Sequence, residues 1–326
     1  MTPFSRYFRA RWRLGVAGAA LLAALPAAQA NIVVGDRVFP TTLTIDDPGV
    51  DNELALPAFT YMTQSGADGA RGPIALSFGG VFSKTLTDNL GFSVGSEGYV
   101  WQRRPNVLGW SNLETELKFV PWLDEPAQAI VGMAVAMKWA SPRGAAGAET
   151  AGEPYSTASF KLFAGKGFGD AQADWVKPLA LTGEYDLNVP LSAATSDGAA
   201  IPTAITYGAT LQYSLEYMND HVRPLPPALR ELVPAFEAIF TTPVSNLPRN
   251  EPGAFGANVT TGVVGPSLYY VGKYFEIGAM AQIPINPASG AHIGALAVIA
   301  FFLDDAAPDT FGRPLFGAAA AEAKRF

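Results

Sequence analysis

From about residue 53 the chain repeats one pattern: apolar and polar residues alternate over roughly ten positions, then a turn-rich break follows. Over 203–218, Ile205, Tyr207, Ala209, Leu211, Tyr213, Leu215 and Tyr217 fall on one side. Thr206, Gly208, Thr210, Gln212, Ser214 and Glu216 fall on the other. A strand has period two, so each such segment carries one apolar and one mostly polar face. Leu181, Tyr185 and Leu187 alternate in the same way with Thr182, Glu184 and Asp186, and Leu113, Leu117 and Phe119 with Glu114, Glu116 and Lys118.

Segment length narrows the fold. Soluble strands run about 5–6 residues, whereas a tilted strand crossing a bilayer needs about 9–11. Segments near the longer figure recur at 54–63, 73–83, 90–101, 110–120, 127–139, 156–167, 177–188, 203–218, 231–242, 258–270, 274–284 and 291–303. About twelve such strands, an even number, predict an all-β fold: a closed antiparallel transmembrane β-barrel over 53–303. Breaks alternate in length, with Val271-Gly272-Lys273 the tightest. The break at 219–230 is too long for this alternation, and its Arg223–Pro227 run reads as an internal plug or a short surface helix. Tyr99, Trp101, Trp110, Trp122, Tyr155, Tyr217, Tyr269, Tyr270 and Tyr274 fall near strand ends, as an interfacial aromatic girdle requires. Residues 129–137 are apolar on both faces, so they fit either a strand turning Ala and Gly inward or a buried helix.

The first thirty residues differ from the rest. Arg6, Arg9, Arg11 and Arg13 precede an apolar run from Leu14 to Leu25, and Ala28-Gln29-Ala30 supplies small residues before a cut at Asn31. This is the three-part pattern of a cleaved secretory signal, and the run is too short for a spanning helix. Removing it takes four arginines and no acid from a chain of net charge −7 and leaves −11. That balance argues against a nucleic-acid partner. With no Cys and only two His, thiolate and multi-histidine metal sites are excluded, and no cofactor is expected.

The chemistry left to the chain lies on the inward register. Glu114, Glu116, Lys118, Glu184, Asp186 and Glu216 are the candidates for tuning a pore, and their acidic surplus favours cations or neutral solutes over anions. Arg103 and Arg104, in an external loop, could contact anions or lipopolysaccharide phosphates. Asp46, Asp47, Asp51 and Glu53 lack the order of a calcium loop, so residues 31–52 read as a solvated arm or a small plug in the barrel mouth. Gly165–Gly169 lacks the length and the Ser/Thr of a phosphate-binding loop. His292, three residues after Ser289, and His221 leave open a lipid-hydrolysing barrel, although no G-x-S-x-G elbow exists.

Two stretches, Leu232–Pro243 and Gly290–Asp305, give the chain a resemblance to a known group. They resemble Gram-negative outer-membrane transporter-like barrels grouped with the MetA-pathway phenol-degradation family. The resemblance implies an uptake or channel role without fixing a substrate. Many outer-membrane barrels end in a strand with a terminal aromatic. Here Phe326 follows a stretch unlike a strand, which moves the assembly signal to 291–303 and leaves 304–326 as a tail. The expected function is a passive outer-membrane channel for small solutes, hydrophobic or aromatic ones included. Its expected partners are outer-membrane lipid, lipopolysaccharide and the insertion machinery. A lipid-modifying barrel enzyme and a soluble periplasmic β-sandwich binding module are the alternatives. The sandwich would bury the rows of 205–217 between two sheets.

Overall fold

The computed structural model describes residues 32–65, 71–103, 107–141, 152–196, 198, 200–247 and 258–316. The expected export signal, residues 1–30, lies outside them.

Two short strands, β1 (Ile32–Val34) and β2 (Arg37–Phe39), form a hairpin of their own. The chain then enters β3 (Glu53–Ser65), β4 (Arg71–Thr87) and β5 (Leu90–Arg103). A four-residue strand, β6 (Val107–Trp110), folds back on the end of β5. The wall continues through β7 (Glu114–Asp124), β8 (Ala129–Lys138), β9 (Thr157–Gly167), β10 (Leu179–Pro190) and β11 (Thr203–Tyr213). It ends with β12 (Leu232–Ser245), β13 (Thr261–Val271), β14 (Phe275–Pro284) and β15 (Gly294–Phe302). Each wall strand pairs antiparallel with its predecessor. β15 pairs with β3, so twelve strands close into a barrel, with β6 as a short edge beside β5 at its far end. The rim where β3 begins and β15 ends is called the near rim below, and the opposite one the far rim.

The faces sort as the alternation demands. Leu211 on β11 is 46% exposed on the outside, while Thr210 and Gln212 beside it are buried inside. On β7, Leu117 and Phe119 face out, and Glu116 and Lys118 face in. Among the described residues no second sheet covers the outward rows, which removes the sandwich alternative. Backbone groups in lipid must find partners within the protein, and the closed ring of ladders provides them along the wall.

The ambiguous stretch at 129–137 is strand β8. Its inward Gly132, Ala134 and Ala136 are small because other chain fills the space in front of them: a Cβ on Gly132 would collide with the Pro48 carbonyl oxygen. The strand expected to reach residue 218 stops at Tyr213. There the Ser214 hydroxyl accepts a hydrogen bond from Tyr217 N at 3.1 Å and caps helix α1 (Leu215–His221). Glu216 therefore sits in the first turn of a near-rim helix and not on the inward face of a strand. Two expected girdle tyrosines are also elsewhere. Tyr217 is buried on α1, and Tyr269 points into the barrel, fully buried. Trp110 and Tyr99 are exposed toward the far rim, and Trp122 and Tyr270 toward the near rim. After β15, the short helix α2 (Leu303–Ala306) starts a tail that folds across the near rim, where Leu315 N and Phe316 N donate to the carbonyls of Thr85 and Leu86.

Candidate functional site

The lumen holds the polar chemistry, and the N-terminal segment occupies much of it. Ile32, Val34 and Phe39 of the first hairpin pack inside the near rim on Ile130 and Ala180. Arg37, fully buried, fixes this hairpin to the wall: Nη1 donates to Pro178 O at 3.1 Å, Nη2 to Lys177 O and Nε to Gln128 Oε1 at 3.5 Å. Its guanidinium stacks 4.0 Å from the Tyr217 ring centre. Residues 40–51 then cross the barrel. Thr44 N and Oγ1 donate to Glu237 Oε2 at 2.9 and 2.7 Å, Leu43 N to Tyr269 Oη at 2.9 Å and Asp46 N to Glu184 Oε2 at 2.8 Å. Residues 32–52 are therefore a luminal segment and not a solvated arm.

Opposite charges on the wall and on this segment meet at Lys118. Its ammonium lies 3.1 Å from Asp46 Oδ1, 3.5 Å from Asp47 Oδ1 and 3.8 Å from Glu116 Oε1, and donates to Asp47 O at 2.9 Å. It also sits 4.6 Å from the Phe163 ring centre. One step toward the far rim, Lys161 pairs with Glu116 at 2.8 Å and Glu114 at 3.0 Å; beyond it, Lys138 pairs with Glu153 at 2.9 Å. The buried ions of this group, Lys118, Asp47, Glu116 and Lys161, persist because each has a partner, whereas Lys138 and Glu153 are half-exposed. These pairs line part of a cavity of about 620 Å³, and Ser77, Gly79, Ser93, Gly95 and Ser96 of the neighbouring strands β4 and β5 continue its lining.

Of the residues expected inside, Glu114, Glu116, Lys118 and Glu184 line this cavity. Asp186 faces inward beside Lys161 in the β9–β10 register and is buried; its Oδ1 has no hydrogen-bond partner among the described residues. Arg103 ends β5, and Arg104 lies outside the described residues. Ser289 Oγ donates to Asn286 Oδ1 at 2.9 Å and accepts from Gly262 N at 2.8 Å, while His221 stacks on Tyr217. Among the described residues no cluster of His, Asp and Glu is arranged to hold a metal ion.

Lys161 and Glu237 escaped the sequence reading, although both sit on the inward register of predicted strands and could have been taken from it. In the sequence Asp46 and Asp47 carry no periodic signal and stand only within a segment that reads as an arm or a mouth plug. Arg37 gives no periodic signal at all. In the tail, burial raises the carboxyl of Asp305 to about 6, with the neighbouring Asp304 as the second cause.

No protein-family profile and no curated protein sequence matches the chain. Solved structures do match. An outer membrane channel from Pseudomonas putida F1 aligns over 82% of this chain and 99% of its own, with a TM-score of 0.50 at 15% identity. The NanC porin aligns over 76% and 98%, with a TM-score of 0.45 at 11% identity. The outer membrane protein OprD from Pseudomonas aeruginosa aligns over 85% and 72%, with a TM-score of 0.34 at 14% identity. The chain thus shares the fold of the Pseudomonas putida channel.

Proposed function

We propose that the protein is a passive outer-membrane channel for small solutes, hydrophobic and aromatic ones included, reached through a cleaved export signal. One observation carries this reading: twelve long strands close a ring whose apolar side chains point out and whose charged side chains point in, onto a cavity of about 620 Å³. Such a ring is stable where its outside meets lipid. The short near-rim turns Asp88-Asn89 and Gly272–Tyr274 support a periplasmic near rim, with the α1-bearing connection 214–231 as its longest exception among the described residues. The outer belt would contact membrane lipid and the far rim lipopolysaccharide. β15, the last wall strand, would carry the signal for the insertion machinery. The sequence resemblance supports membership of the MetA-pathway group.

Selectivity would follow the inward charges. Asp46, Asp47, Glu114 and Glu116 outnumber Lys118 and Lys161, which favours cations and neutral solutes. The test is a planar-bilayer recording across a salt gradient. Discrete current steps with a cation-selective reversal potential are expected, and Glu114→Gln, at a carboxylate that lines the cavity, should reduce that preference. A protein that never conducts and is recovered from the aqueous fraction of cells without detergent would defeat the proposal.

A further inference from the structure

We infer that the luminal cavity is a binding site for zwitterionic solutes that carry an apolar group, with both charges of the solute held on one wall and the apolar group on the wall facing it. This rests on the channel reading and names the solute class. The order of strands around the ring sets the two walls. β9 and β15 stand six strands apart in a ring of twelve, whichever way it is counted, so they face each other across the lumen; β10 and β3 do the same.

The wall of β7, β8 and β9 carries charges of both signs, and they alternate along the axis. Lys138 with Glu153 comes first from the far rim, then Lys161 between Glu114 and Glu116, then Lys118 beside Glu116. Small side chains allow this arrangement. Ala134 and Ala136 face inward on β8, between the register partners on β7 and β9, and the Lys161 ammonium reaches past them to both Glu116 and Glu114. A solute with a single charge meets like charge within one step of each partner. A zwitterion finds a partner for both of its ends. It competes with pairs that are already formed, so it is held weakly enough to leave, as passage requires.

The facing wall is apolar. Among the described residues β15 gives the cavity apolar side chains alone, with Leu296 and Val298 on its inward register. Ala55 and Ala58 of β3 extend this patch, and Val298 packs with Ala55. An apolar group that leaves water for such a wall gains free energy in proportion to the area covered. Between the two walls β4 and β5 line the cavity with serine and glycine, which keeps the space across it clear of bulky side chains.

Norleucine tests both halves of the site. In single-channel recordings at neutral pH it should interrupt the current reversibly. Half-block should come at a concentration on the order of tenfold below that of hexanoate or pentylamine, each of which keeps the chain and lacks one of the charges. Glycine keeps both charges, lacks the chain, and should also need on the order of tenfold more. Leu296→Asn should bring norleucine to the level of glycine. Lys161→Met removes the ammonium between Glu114 and Glu116 and should bring norleucine to the level of pentylamine. The comparison of solutes on the wild-type protein decides the matter even where a variant fails to fold. Equal half-block by all four solutes, stronger block by hexanoate or pentylamine, or a current that none of them interrupts would overturn the inference and leave the channel reading intact. A wild-type protein silent in every recording would remove the channel reading and this site with it.

Discussion

Leu162 offers a direct measurement of what lies outside the barrel. It is the central residue of the eleven-residue strand β9, and it is 53% exposed on the outer face. Its register partners Met133 on β8 and Tyr185 on β10 face outward too, at 41% and 46%. Ten steps of about 3.3 Å at a tilt of about 40° rise about 25 Å along the barrel axis, the height of an outer-membrane apolar band. Leu162 therefore sits near the bilayer midplane. An arginine there costs about 2–4 kcal/mol, which is roughly 30- to 900-fold in the folding equilibrium. The assay is guanidinium unfolding of Leu162→Arg and wild type from phospholipid vesicles, followed by tryptophan fluorescence. Trp175→Arg is the control. That residue is 69% exposed in a near-rim connection, and its replacement should change stability by no more than about 0.5 kcal/mol. A Leu162→Arg protein as stable as the control would mean that the outer rows face water, and the membrane argument would fail.

Two further outcomes follow from the luminal segment and the tail. Gly132→Val drives a side chain into the Pro48 carbonyl, an overpacking that costs about 1–3 kcal/mol and falls on the luminal segment. Proteinase K should then cut within residues 40–51 faster than in wild type, and unchanged protection would contradict the close approach. The pH dependence of stability should carry the signature of Asp305, whose carboxyl is raised from 3.8 to about 6 by burial, with Asp304 as the second cause. Between those values the folded chain keeps a proton that the unfolded chain has lost. Stability should therefore be highest below about pH 4, fall as pH rises through 6 and level off above it. Asp305→Asn should flatten that window, and an unaltered slope would assign the effect elsewhere.

Much of the wall could be read from the chain because a strand writes its environment in alternate letters. β10 shows this most plainly: Leu181, Tyr185 and Leu187 face out, and Thr182, Glu184 and Asp186 face in. The inward candidates on β7 and β10 followed from that alternation alone. The rule fails where local chemistry overrides the period. Leu215 and Tyr217 continue the alternation of β11, yet the Ser214 cap turns the chain into a helix and carries Glu216 off the wall. Tyr269 looked like a girdle residue, but its inward register brings its hydroxyl to the Glu237 carboxylate.

Residues 32–52 have no period, so their position had to come from contacts distant in sequence. Lys118 meets Asp46 and Asp47, and Arg37 meets the backbone of Lys177 and Pro178. Alternation is a property of neighbours along one strand, and it determined the strands, their two faces and the closed ring they imply. The contents of the lumen depend on which of many inward side chains face one another across the barrel. Only the closed tertiary structure decides that, because charge pairing and desolvation act through space and leave no regular mark along the chain.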